Sequence, residues 1–273
     1  MSEMVVAAVQ MNSVDNVESN LAAAGKLLEE AARQGAVLAV LPENFAFMGV
    51  GEQDKFAIAE TIDAARPGPI LEALMTCARA QRMWIVGGGM PEKSGRDGFV
   101  HNTCVVVGPD GALAARYRKL HLFDVDIPGG AQFKESGTVA PGDEVVTVAL
   151  PWGRLGLSIC YDLRFPELYR ALERAGARVV VVPAAFTLHT GKDHWRPLLS
   201  ARAIENQVYV LAPGQVGRSH EQRQCWGHSL IIDPWGAVLA EAPDRECVVV
   251  AEIDFAFQDR VRRELPCLAH RKL

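Results

Sequence analysis

The sequence predicts an α/β fold, and three observations predict it. Short runs of Val, Ile, Leu and Ala alternate with helical patterns along the whole chain, Gly- and Pro-containing turns punctuate the alternation, and no Ser-rich, Pro-rich or low-complexity linker interrupts it. At about 150 residues per domain, the 273 residues allow two domains or one large layered structure. The missing linker favours one domain over residues 1–273, with a large mixed sheet covered by helices. Two sheets sandwiched between helix layers fit the pattern as well as a single doubly wound sheet, because either covers the apolar strand faces. Hydrophobic residues at 49% and charged ones at 22% are enough for a core without staples.

Residues 4–10 and 36–41 read as buried strands on either side of a helix over 17–34. In that helix Leu21, Ala24, Leu28 and Ala31 repeat every three or four positions, and Gly35 supplies the stop. This is one βαβ unit. A second helix over 69–81 leads into strands at 83–87 and 102–107, and the turn Pro109-Asp110-Gly111 leads into a strand over 112–117, so hairpin pairing begins here. Residues 118–142 are Gly- and Pro-punctuated and weakly periodic, and a loop of that length in a compact domain is more often functional than incidental. The second half repeats the style, with strand 154–159, helix 166–175, strand 178–183, helix 194–206 and strand 208–213. Segments 227–233, 237–241 and 247–254 form a meander with a turn at Pro234-Trp235-Gly236, and a last helix covers 255–265.

Charge and apolar runs exclude several classes of function. The net charge is −5 and the basic residues are scattered apart from 260–263 and Arg271-Lys272, so the footprint of a nucleic-acid binder is missing. The longest apolar runs, 36–42 and 179–186, are about half of the roughly 20 residues that cross a bilayer. The first ten residues carry no basic leader, and the expectation is a cytoplasmic protein with a small-molecule partner, no membrane and no nucleic acid. Cys77, Cys104, Cys160, Cys225, Cys247 and Cys267 stand far apart without CxxC or HExxH spacing, which argues against a disulfide framework and against structural zinc.

Three segments place reactive groups just beyond buried strands, where open α/β sheets bind ligands. Glu43, in Leu41-Pro42-Glu43-Asn44-Phe45, reads in isolation as a solvent-facing loop acid. Its position between an apolar strand and Phe45-Ala46-Phe47 suggests instead a carboxyl whose pKa is raised by burial, a base near neutral pH. Lys119, in Tyr117-Arg118-Lys119-Leu120-His121-Leu122-Phe123, is either a solvated flank or a fixed positive charge facing an oxyanion or carboxylate. Cys160 follows an apolar strand and precedes a helix opened by Pro166, a setting in which backbone dipoles and a nearby cation lower a thiol pKa from about 8.5. The other reading, a buried thiol acting as a small hydrophobe, describes the remaining five cysteines better.

Two partial motifs fail. Gly156-x-Ser158-x-Cys160 lacks the last glycine of a serine nucleophile elbow and puts Ser158 inside a strand rather than on a turn. Gly87-Gly88-Gly89 lacks dinucleotide-binding spacing and the helix that should follow.

Glu43, Lys119 and Cys160, in this order and these contexts, resemble the catalytic triad of the nitrilase superfamily of carbon-nitrogen hydrolases. The resemblance runs from Val9-Gln10-Met11 to Leu265-Pro266…His270-Arg271. It is carried by 41–45, 117–123, 159–167, 183–186 with Thr190-Gly191…His194-Trp195, Ala201-Arg202-Ala203…Glu205-Asn206, and Gly227-His228-Ser229…Asp233-Pro234-Trp235-Gly236. It implies a four-layer α-β-β-α sandwich, commonly a homodimer or higher oligomer, and no metal or organic cofactor. It also implies that Cys160 attacks an amide carbonyl, that Glu43 relays protons, and that Lys119 and the N–H of Tyr161 stabilise the oxyanion. Glu135, in Phe133-Lys134-Glu135-Ser136, matches the family's second active-site glutamate.

The segment over 121–129, and Tyr161-Asp162 after the cysteine, look like the Nit-type amidases. Gly217-Arg218-Ser219-His220-Glu221 and the tail suggest deaminated glutathione as substrate, while Phe123-Asp124-Val125-Asp126 and Phe133-Lys134-Glu135-Ser136 suggest the ω-amides of 2-oxo acids. The first is favoured. Both substrates carry a carboxylate, for which Arg164 is the candidate binder, its alternative being a structural salt bridge with Asp162 or Glu167. Tyr161, Phe186 and His194 complete the expected substrate-binding set. The reading from another class, a non-catalytic interaction module on the same fold, has no use for a nucleophile, a base and an oxyanion cation together.

Overall fold

The computed structural model describes residues 3–126, 132–220 and 223–272. In chain order its elements are β1 (Glu3–Gln10), α1 (Val17–Arg33), β2 (Leu38–Val40), α2 (Pro69–Gln81), β3 (Trp84–Lys93), β4 (Val100–Val107), β5 (Leu113–Arg118), β6 (Asp124–Asp126), β7 (Gln132–Lys134), β8 (Thr147–Leu150), β9 (Gly153–Leu157), α3 (Pro166–Arg174), β10 (Ala177–Val181), α4 (Leu188–Asn206), β11 (Tyr209–Ala212), β12 (Val216–His220), β13 (Arg223–Trp226), β14 (Leu230–Ile232), β15 (Val238–Glu241), β16 (Cys247–Asp254) and α5 (Phe255–Glu264). Short 3-10 turns cover Asp54–Phe56, Glu135–Gly137 and Cys160–Arg164.

Strand alternation produces the layers. Val6 and Ala8 of β1, with Leu38 and Val40 of β2, join one buried cluster with Leu155, Leu157 and Val180 of the second half, whereas Ala7, Val9 and Ala39 face Ala24 and Leu28 of α1 and Leu71 and Leu74 of α2. Strands apolar on both faces must be covered on both. The first sheet has the order β16-β1-β2-β3-β4-β5 and the second β15-β14-β11-β10-β9-β8, so the pattern left open by periodicity resolves into two sheets rather than one. Helices α1 and α2 cover the outside of the first sheet, and α3 and α4 pack on β9, β10 and β11, giving the α-β-β-α sandwich.

Local chemistry sets the helix ends. Asn16 caps α1 by accepting from the N–H of Ser19, and Gly35, at φ +86°, follows its end. Glu60 caps α2 by accepting from the N–H groups of Ile70 and Leu71, with Pro69 at the first position. Helix α4 begins at Leu188, not 194, because the Thr187 side chain accepts from Thr190 N–H and caps it there.

The stretch over 118–142, expected to be a loop, holds the hairpin β6–β7, with Asp124 opposite Lys134, and the 3-10 turn that carries Glu135. Strand β8 and the hairpin β12–β13 were not anticipated, β8 being only four residues long and the hairpin being interrupted by polar residues. The strand expected over 154–159 ends at Leu157. Residues 127–129 and Glu221, quoted above for the family branch, lie outside the described residues.

Candidate active site

The segments that follow β2, β5, β9 and β10 converge, bringing together Glu43, Lys119, Cys160 and the N–H of Ala185. Glu43 reaches this point because β3 gives way. At Gly88 a Cβ would lie 2.0 Å from the carbonyl of Leu41 and 2.4 Å from Pro183, so the Gly87-Gly88-Gly89 run is a bulge that lets the Glu43 backbone pass. Glu43 Oε1 accepts from Lys119 Nζ at 2.9 Å and from Asn102 Nδ2 at 2.9 Å, and Oε2 accepts from the N–H of Ala185 at 3.0 Å. Lys119 is itself clasped by Glu135, Nζ lying 2.9 and 3.1 Å from its two carboxylate oxygens, and Glu135 accepts from the N–H of Phe123 at 2.7 Å. An ammonium between two carboxylates in a buried site stays charged: despite desolvation, Glu135 and Glu43 push the Lys119 pKa well above its usual value.

Cys160 opens the 3-10 turn after β9 with φ +48°, a left-handed conformation uncommon for a residue with a Cβ. The sharp turn that a serine elbow would put at Ser158 falls two residues later. Ser158 is buried, donates to the carbonyl of Val181 at 2.7 Å and pairs with the hydroxyl of Tyr169. The Cys160 turn is held from several sides. Its N–H donates to Pro183, the guanidinium of the buried Arg202 in α4 donates twice to the carbonyl of Leu163, and Asp162 accepts four hydrogen bonds. Those four come from Ile159 N–H, Tyr117 hydroxyl, and the N–H and Nδ1 of His121, so one buried carboxylate ties the Cys160 turn to residues on either side of Lys119.

The pKa expectations for Glu43 and Cys160 both reverse. Burial favours neutral Glu43, but Lys119, the hydrogen bond from the Cys160 thiol and the more distant Arg223 outweigh it and hold the carboxyl below its usual range. Burial and the Glu43 anion push the Cys160 thiol well up, the opposing pull of Lys119 being smaller. The resting proton therefore sits on sulfur, with an ionised carboxylate hydrogen-bonded to it.

These groups open onto a cleft whose walls include Tyr161, Arg164 and Phe186. His194, expected there, is exposed behind Arg164, its Nδ1 3.3 Å from the guanidinium, and does not line the cleft. The alternative for Arg164 falls as well. It makes no ion pair with Asp162 or Glu167 and lies instead over the rings of Phe186 and Tyr161, 5.4 and 5.9 Å from their centroids. Sequence reasoning missed Asn102, Asp162 and Arg223. Asn102 sits in a strand that the spacing starts at that residue, and only antiparallel pairing with β5 brings it beside Lys119, whose N–H donates to its carbonyl.

A family model described as carbon-nitrogen hydrolase matches residues 5–263, and the chain belongs to that family of hydrolases. A Synechocystis protein named deaminated glutathione amidase is 47% identical, the match covering 99% of each chain. Among solved structures, the NitFhit protein of C. elegans superposes with a TM-score of 0.92 at 39% identity. The match covers all of this chain and 66% of that one. Saccharomyces cerevisiae Nit3, described as a member of branch 10 of the nitrilase superfamily, gives 0.90 at 32% identity and covers all of this chain and 97% of its own. Among the described residues no helix is long and apolar enough to cross a membrane.

Proposed function

We propose that the whole chain is one catalytic domain, a cysteine amidase that hydrolyses deaminated glutathione, in which a 2-oxo acid is joined through an amide to cysteinylglycine. The observation that carries the reading is the hydrogen-bonded set Cys160–Glu43–Lys119–Glu135 at the base of the cleft. Glu43 takes the thiol proton as Cys160 Sγ bonds to the amide carbon. Lys119 and the N–H of Tyr161, free of a preceding turn, receive the charge on oxygen. The C–N bond breaks as Glu43 returns its proton to the departing nitrogen, leaving a thioester. Glu43 then deprotonates water, the new C–O bond replaces C–S, and the proton ends on sulfur. Glu135 keeps Lys119 charged and aimed. Arg164 takes the carboxylate of the 2-oxo acid, with Tyr161 and Phe186 as the walls beside it.

Two further points belong to this reading. Ile204, Trp235 and Leu239 leave apolar surface exposed on one side of the second sheet, Trp235 at 61%, which favours a homodimer. Six free cysteines favour a reducing, cytoplasmic setting.

The test is product release by wild type and Cys160→Ala from deaminated glutathione, α-ketoglutaramate, an N-carbamoyl amino acid and a simple nitrile. Cysteinylglycine released by wild type and not by the variant is the expected result. Preference for α-ketoglutaramate would keep the mechanism and move the substrate to the 2-oxo-acid ω-amides, and release by Cys160→Ala at the wild-type rate would overturn the mechanism.

A further inference from the structure

The charges of the cleft are not all paired. Lys119 is matched by Glu43 and Glu135, and Lys55 is paired with Glu52 at 2.7 Å. Arg164 and Arg223 also line the cleft, and neither has a carboxylate within ion-pair distance among the described residues. Guanidiniums left without a carboxylate in a substrate cleft suit anionic groups of the substrate, since the planar fork matches a carboxylate bidentately.

The two lie in different company. Arg164 is with Tyr161, Phe186 and His194. Arg223, at the start of β13, hydrogen-bonds the thiol of Cys225, and its charge acts on Glu43, Glu52 and Cys160 without an ion pair to either carboxylate. Glu43 must deliver a proton to the departing nitrogen, so the amine leaves past Glu43 into the cleft that Arg223 also lines. We infer that Arg223 binds a carboxylate carried by the leaving amine, so that the enzyme selects amides with an anionic group at each end, one held by Arg164 and one by Arg223. The inference rests on the amidase reading above and adds to it a second anion site. It separates an amide whose amine ends in a carboxylate from one that releases ammonia, which has nothing for Arg223 to hold.

The experiment compares two substrates that differ only at the far end of the leaving group: deaminated glutathione, and the same compound with its terminal carboxylate replaced by a neutral hydroxymethyl group. Release of the amine is followed with wild type, R223Q and R223K. Wild type is expected to favour the acid by about 10- to 100-fold in kcat/KM, the scale of one charge-assisted hydrogen bond. R223Q should bring the two substrates level, and R223K, with charge but no fork, should keep an intermediate preference. If R223Q slows both substrates equally and shifts the acid limb of the pH profile, Arg223 acts only on Glu43 and the inference falls. Wild type treating both substrates alike overturns it whatever the variants do, while leaving the amidase reading intact. Hydrolysis of neither, with ammonia still released from α-ketoglutaramate, overturns the substrate reading and this inference together.

Discussion

The first sheet brings the buried ion-pair network to the cleft, whereas the second brings a strained turn. Glu43, Lys119 and Asn102 come from β2, β5 and β4 or the residues after them, and with Glu135 they form a buried network whose geometry is fixed by ion pairs and hydrogen bonds. From the second sheet come Cys160, in a left-handed conformation on a turn held by Pro183, Arg202 and Asp162, and the N–H of Ala185, which donates to Glu43. The difference teaches how the division of labour works. Charges can be lined up by one another, but a nucleophile that is neutral at rest has no partner strong enough to aim it, so its turn must.

If that division is right, substitutions in the two regions fail differently. The largest effect is expected at the nucleophile: Cys160→Ala should lower kcat by about 10⁶-fold while leaving the ion pairs of the first sheet and the cooperative unfolding curve in place. Next comes Glu43→Gln, which keeps shape and removes charge. It should cost about 10²- to 10⁴-fold in kcat, and its pH profile is the sharper readout. The carboxyl lies below its usual range, so the wild-type base is ionised through neutral pH and activity falls only as pH drops through that depressed value. The variant should lose that acid limb. Near-normal turnover by Glu43→Gln would mean that the first sheet contributes shape and not charge.

Asp162 is where the two regions are joined. Asp162→Asn keeps the volume but sets an amide N–H₂ against donors that now meet a carboxylate, so a loss of about 2–3 kcal/mol is expected in denaturant unfolding. A structural role alone would move only the midpoint. As a positioning residue for Cys160 and Lys119, Asp162 should also lower kcat with KM little changed, and unaltered kcat in the folded variant would separate the two regions again.

How far the sequence reveals these regions follows from the range of the interactions. Glu43, Lys119 and Cys160 each stand just beyond a strand, but taken singly each kept a second reading, and only the resemblance of the three together singled them out; the layers were legible up to the choice between one sheet and two. Glu135 was reached through family resemblance alone. The pKa directions failed because composition displays the apolar neighbours of Glu43 but not Lys119, 76 positions away, whose charge outweighs them. Arg223 was hidden in a hairpin too short and polar to show a period. His194 was misplaced because it shares a helix with residues that do approach the cleft, and helical neighbours point in different directions.

The smallest predicted effect tests the strained turn itself. At φ +48° a residue with a Cβ meets a steric cost that glycine avoids, on the order of 1 kcal/mol. Cys160→Gly and Cys160→Ala both delete the thiol, so their difference isolates the backbone. Glycine also gains entropy in the unfolded chain, which works against it. A folded-state strain large enough to matter should still leave Cys160→Gly more stable than Cys160→Ala by several tenths to about 1 kcal/mol in chemical denaturation. Equal stabilities, or a more stable alanine variant, would mean that the turn costs the fold nothing net, and that Pro183, Arg202 and Asp162 hold Cys160 in a conformation it would adopt without them.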